Sequence, residues 1–147
     1  MAYSTDNDLL KEISESDLAK LTGDPTGAEI NTERTSYARS TADTLIDAYL
    51  NGRYHTPLSE PVDPLIKKLS IDLTFVNLFE IYYQKSQISQ TITFRKLNAI
   101  RLLKDIREGI VLINAIAFSD SRPPVIISNK EGKPRTFPED LLNNFDD

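Results

Sequence analysis

Residues 63–83 read DPLIKKLSIDLTFVNLFEIYY, and this stretch decides the fold class. Asp63 is a good helix N-cap, and Pro64 suits the first helical position. The apolar residues that follow leave only a narrow polar strip on a helix about 30 Å long at 1.5 Å per residue. Because a helix that is apolar almost all round must be covered on several sides, we expect it to be the central element of a bundle.

Capping residues and apolar periodicity predict four further helices around this one. With the central helix, the expected set is 6–13, 16–22, 32–51, 64–83 and 94–108. Gly52 is expected to end the third helix as a left-handed cap, and Gly109 to close the last. Residues 110–117 fit either a strand or a continuation of that last helix.

The last predicted helix combines an apolar stripe with many basic residues. The expected core stripe is Phe94, Leu97, Ile100, Leu103 and Ile106. The basic side chains would then lie on the outer side: Arg95, Lys96, Arg101, Lys104 and Arg107. Such a face indicates contact with an acidic protein or with the DNA backbone, or it is simply solvated.

The chain changes character after Ser119, where prolines oppose regular helix. Residues 119–147 are expected to form an extended arm or loose hairpin, and residues 1–118 a helical domain. Several of the arm's side chains are too apolar to remain in water: Val125, Ile126, Ile127 and Phe137. They either clamp a partner or fold back onto their own domain. The predicted fold class is therefore mainly α, a compact bundle of four to five helices with an extended C-terminal arm or hairpin.

Composition argues against most catalytic chemistry. The 147 residues include no cysteine and one histidine, His55, which excludes disulfides and thiol nucleophiles. Asp43 and Asp47 lie four residues apart on one predicted helix face, but no histidine or further carboxylate follows at ligand spacing. A solvated face or a subunit contact is the simpler interpretation of this pair. We therefore expect no enzymatic activity, no metal and no cofactor.

Charge and hydropathy bear on partners. The net charge is −5, and an acidic chain is a poor generic binder of nucleic acid, whose affinity comes largely from Lys and Arg on phosphates. The first ten residues are polar and acidic, unlike a signal peptide. No apolar stretch is long enough to cross a membrane. The default compartment is the cytoplasm, or a particle assembled there.

One segment carries a distinctive pattern. It reads Ala42-x2-Leu45-Ile46-Asp47-x-Tyr49-Leu50-x-Gly52-Arg53-Tyr54-x2-Pro57-Leu58-x2-Pro61-x2-Pro64-Leu65-x3-Leu69. With its YLxGRYxxPL core, it resembles a family of small tail-module proteins of Mu-like phages and prophages. The flanking Ser16-Asp17-Leu18 and Arg107-Glu108-Gly109-x2-Leu112 are similar to the same family, so the resemblance covers about residues 4–113.

The resemblance implies a wider similarity to the helical head–tail connector (adaptor) proteins of long-tailed phages. Those proteins are bundles of four to five helices that form a ring, usually of twelve copies, beneath the portal. They bind no cofactor and catalyse nothing. The implied role is a structural virion protein, assembled in the host bacterial cytoplasm, that joins the portal to a tail-side stopper or terminator protein. Genomic DNA would pass through the ring without sequence-specific binding.

The alternative from another class is a cytoplasmic helical regulatory or DNA-binding module that uses the basic last helix. In either case the candidate contact residues are Arg53, Tyr54, Asp43, Asp47, Arg101, Lys104, Val125, Ile126, Ile127 and Phe137. Arg53 is expected to pair across a subunit boundary, or else Tyr54, Pro57 and Leu58 only pack the crossover onto the core. A ring requires head-to-tail contacts, because only heterologous interfaces close in this way.

Overall fold

The computed structural model describes residues 2–83 and 89–117 of the chain. In this part it contains five helices and no β-strand, which confirms the mainly α fold class. The helices are α1 (Asp6–Leu10), α2 (Glu15–Leu21), α3 (Thr32–Leu50), α4 (Pro64–Tyr83) and α5 (Gln90–Glu108). The predicted arm at 119–147, with its candidate residues Val125, Ile126, Ile127 and Phe137, lies outside the described residues, as does the predicted boundary after residue 118.

Helix α4 is the centre of the bundle, as its sequence predicts. Helices α2, α3 and α5 all pack against it. Its buried residues occur on every side of the helix: Ile66, Leu69, Ser70, Ile71, Leu73, Thr74, Phe75, Val76 and Leu78. The two buried hydroxyl residues are satisfied, since Thr74 donates to the carbonyl of Ser70 at 2.7 Å and Ser70 bonds to α3.

Two clusters of apolar side chains form the core. The larger lies among α3, α4 and α5 and includes Tyr3, Tyr54 and Leu58 from outside the helices. The smaller joins α1 and α2 to α3 and α4 through Leu9, Leu18, Ala38, Ile71, Phe75 and Leu78. The N-terminal helices are therefore held to the bundle mainly by the second cluster.

The caps explain where each helix begins. Thr5 and Asp8 form a capping box at α1. Asn31 caps α3, since its side chain accepts from the backbone N–H of Arg34 at 3.0 Å. Helix α2 is capped by Ser14 and α5 by Ser89, so both begin earlier than predicted. Helix α1 ends at Leu10, three residues before its predicted end.

The prediction for Gly52 is wrong, and that for Gly109 is confirmed. Positive φ angles occur in the described residues at Gly23, Gly27 and Gly109, but not at Gly52. After α3 the chain continues in a right-handed turn, with the N–H groups of Arg53 and Tyr54 both donating to the carbonyl of Leu50 at 2.9 Å. Gly109, at φ +80°, ends α5 in the left-handed conformation.

Residues 110–117 do not continue α5, because Gly109 turns the chain away. The segment is irregular and returns to the long crossover between α3 and α4. There it makes one isolated antiparallel bridge, between Tyr54 and Ala117. The N–H of Asn114 also donates to the Asp63 carboxylate at 2.8 Å, which ties the segment to the start of α4.

Candidate protein–protein interface

Arg53 links the crossover between α3 and α4 to the C-terminal end of α5. Its guanidinium lies 5.9 Å from the ring centroid of Tyr54 and covers Gly109 so closely that a Cβ there would lie 2.5 Å from both terminal nitrogens. The arginine of the crossover therefore packs on the glycine that ends α5. Its Nε is buried without a hydrogen-bond partner, and Arg53 forms no ion pair within the described part of the chain. Its pairing across a subunit boundary stays a prediction.

Tyr54 holds the crossover on the core. It is only 2% exposed and belongs to the larger apolar cluster. The N–H of the next residue, His55, donates to the carbonyl of Ile116 at 3.0 Å. Further along, the N–H of Leu58 donates to the hydroxyl of Tyr3 at 2.9 Å. In the single chain Tyr54 therefore acts as a packing residue, with little surface left for a partner.

Asp43 is part of a buried polar network, and its interpretation as a solvated residue is wrong. It is 5% exposed. Its carboxylate accepts from the N–H of Tyr3 at 3.1 Å and from the hydroxyl of Ser70 at 2.6 Å, and Ser70 also bonds to Ser4 at 2.8 Å. Burial raises the pKa of Asp43, and the Ser70 hydrogen bond opposes that rise. The carboxylate is thus already used within the chain; its role in a subunit contact is untested.

Asp47 belongs to the same network but is half-buried. It accepts a hydrogen bond from the hydroxyl of Tyr3. Burial, and after it this bond to Asp47, raise the pKa of the Tyr3 hydroxyl. Within residues 2–83 and 89–117, no group of three or more acidic or histidine side chains is placed to hold a metal ion. The pair Asp43 and Asp47 fixes the N-terminus of the chain onto α3.

Two basic residues of α5, Arg95 and Lys96, face the bundle, contrary to the prediction that they lie outside. Arg95 approaches both Glu12 and Asp72 at 3.5 Å, and its guanidinium lies 5.6 Å from the ring centroid of Phe75. Lys96 donates to Glu80 at 2.5 Å. They extend the inner face formed by the buried residues of α5, which are Ala99, Leu103 and Ile106.

The opposite side of α5 carries apolar side chains without cover. Phe94 is 63% and Leu97 56% exposed, so both are wrong as predicted core residues. One and two turns further along the same side lie Arg101 and Lys104, which are exposed as predicted. We call these four residues the α5 outer face. It combines an apolar half with a basic half, which favours contact with another macromolecule over plain solvation.

The geometry defines a small all-helical bundle with one helix face, rich in apolar and basic groups, that nothing in the described chain covers. The chain belongs to the bacteriophage Mu, Gp36 family, whose family model matches residues 3–122. This confirms the resemblance to a protein of Mu-like phages. Comparison with curated proteins finds no match. Among the described residues, no helix has the length and hydropathy needed to cross a membrane.

Proposed function

We propose that the chain is a structural virion protein, a subunit of a head–tail connector ring that joins the portal to a tail-side stopper or terminator protein. The observation that carries this proposal is the uncovered α5 outer face on a bundle that belongs to a phage family. Large exposed apolar side chains at successive turns of one helix are typical of protein contacts. The sequence resemblance to helical connector proteins supports the same role.

The mechanism is mechanical, and it needs no catalytic or cofactor chemistry. A connector subunit must keep its shape while its surfaces bind copies of itself and different neighbours. The covered α4 and the crossover pinned by Tyr54 suit a rigid wedge of this kind. Heterologous contacts between copies close the ring, with twelve copies expected around the passing DNA. The apolar part of residues 119–147 would reach a protein of a neighbouring ring. Backbone hydrogen bonds between the arm and the edge of a sheet in that protein would give affinity.

Deleting the gene from the phage or prophage genome that encodes it tests the proposal. Electron microscopy of the resulting lysate should show DNA-filled heads and separate completed tails, and supplying the chain in trans should restore joined particles. Normal joined particles in the deletion strain would contradict a connector role. So would the absence of heads, which would indicate a function in head assembly.

A second candidate is a cytoplasmic regulatory or DNA-binding module. The exposed positions of Arg101, Lys104 and Arg107 on α5 favour it. Two of the helix's five basic residues are already paired with acidic groups of the chain, so few cations remain for phosphates. DNA retention that falls steeply with salt, in the absence of any particle association, would favour this module over the connector.

A further inference from the structure

The α5 outer face cannot be covered by the bundle to which it belongs. The ion pairs of Lys96 with Glu80 and of Arg95 with Asp72 hold the opposite side of α5 against α4. Leu103 and Ile106 add apolar contacts on that inner side. Phe94 and Leu97 therefore point away from the other helices, so none of the residues within 2–83 and 89–117 covers them.

A second, partly apolar surface lies between α2 and the end of α4. We call it the α2–α4 groove. It is a cleft of about 400 Å³, and its lining includes Ile13, Leu21, Phe79 and Tyr82 together with Asp17 and Lys20. Tyr82 is exposed at its edge. Its size and its apolar residues suit insertion of an aromatic and an aliphatic side chain, and Asp17 and Lys20 add polar groups to the lining.

The two surfaces lie in regions of opposite charge. Residues 2–33, which include α1 and α2, contain eight acidic and two basic residues, a net charge of −6. Residues 89–117, which include α5, contain five basic and two acidic residues, a net charge of +3. Opposite potentials steer two surfaces together and fix their register. Each copy of the chain thus carries one basic-apolar face and one groove in an acidic region.

We propose that the α5 outer face of one copy docks into the α2–α4 groove of the next copy, which rests on the proposed connector function. Phe94 and Leu97 enter the groove, and Arg101 and Lys104 face the acidic side of α2, where Glu15 and Asp17 are exposed. Because the two surfaces differ, the contact is heterologous. Such a contact repeats from copy to copy and closes into a ring when the rotation between copies allows it.

Cross-linking in particles tests this contact directly, since the chain has no cysteine of its own. Two single-cysteine variants, Arg101→Cys and Lys20→Cys, are co-expressed in a phage that lacks the gene, and the purified particles are treated with a short bis-maleimide. Each copy then carries one reactive group. The contact predicts covalent dimers from the mixture and none from either variant alone. A mixture of Arg101→Cys with Thr41→Cys, an exposed α3 position, is the matched control and should give none.

Other outcomes overturn the inference in distinguishable ways. Dimers from Arg101→Cys alone would indicate a two-fold contact. Particles that contain the variants but give no dimers from the mixture would refute this contact and leave the connector proposal standing. Absence of the wild-type chain from wild-type particles would refute the connector proposal itself. Resistance of the free Lys20→Cys variant to maleimide would mean that the chain fills its own groove, which also refutes the docking.

A substitution gives an independent readout. Leu97→Arg should keep the melting temperature of the free protein and reduce its incorporation into particles at least tenfold. Tyr37→Arg, at a similarly exposed aromatic on α3, should leave both unchanged. Equal incorporation of the Leu97→Arg variant and the wild type would contradict the docking of this face.

Discussion

Helices α4 and α5 have nearly the same length, but they differ in how many of their apolar side chains are buried within the chain. Helix α4 carries apolar side chains on every side, and neighbouring elements bury those between Ile66 and Leu78, while Ile81 and Tyr82 at its end are exposed. Helix α5 buries one side through Leu103 and Ile106 and leaves Phe94 and Leu97 in water. Apolar periodicity thus indicates which side chains favour burial, but not whether the surface that buries them belongs to the same chain or to a partner.

The largest expected effect is a difference in the free energy of unfolding between a variant in α4 and a variant in α5. Leu73→Ala in α4 should lower the free energy of unfolding by about 2–5 kcal/mol, because the side chain is buried and leaves a cavity. Leu97→Ala in α5 should change it by less than about 0.5 kcal/mol, as for most exposed positions. Urea denaturation of the free protein measures both. Similar losses for the two variants would mean that the outer side of α5 is packed within the chain.

A smaller effect concerns how α5 is anchored at its end. Gly109→Ala should lower the free energy of unfolding by about 1–3 kcal/mol, because it places a side chain at positive φ and forces Arg53 to move. Gly52→Ala is the matched control: its φ is not positive and no atom lies within 4 Å of an added Cβ. The Gly52→Ala variant should leave the free energy of unfolding unchanged or raise it by up to about 1 kcal/mol. A reversed order of the two melting temperatures would restore Gly52 as the left-handed cap.

The smallest effect concerns the polar contact between α3 and α4. Burial raises the pKa of Asp43 above its ordinary 3.8, so the folded protein holds this proton to higher pH than the unfolded chain. The contribution of Asp43 to stability is therefore largest at low pH and declines as pH rises above about 4. Asp43→Asn, which keeps hydrogen-bonding groups for Ser70, should lie within about 1 kcal/mol of wild type. Its stability relative to wild type should improve from pH 4 to pH 8; a fall over that range would contradict the sign.

Local signals predicted the positions of the main helices well. Asn31 caps α3, and Asp63 with Pro64 begins α4, because these caps need only neighbouring backbone groups. The end of α1 and the starts of α2 and α5 differ from the prediction, because α2 and α5 begin at the caps Ser14 and Ser89. The Mu-like family was predicted from the YLxGRYxxPL segment and is confirmed by the family match.

Three of the misplaced side chains, Asp43, Arg95 and Lys96, depend on partners distant in sequence. Asp43 is buried because Tyr3 and Ser70 supply donors from two other segments. Arg95 and Lys96 face inward because their acidic partners lie on α4 and near the end of α1. The i, i+3 pattern through Phe94, Leu97, Ile100 and Leu103 merged two faces of α5 into one stripe. Such contacts follow from the assembled bundle and leave no local signal.

Electron cryo-microscopy of the intact particle tests the proposed connector most directly. The reconstruction of the head–tail junction should show copies of this bundle in a closed ring between the portal and the tail-side protein. In that ring Phe94 and Leu97 of each copy should be buried against the next copy. A junction that lacks the bundle, with no density for α3 to α5 anywhere in the virion, would contradict the assignment.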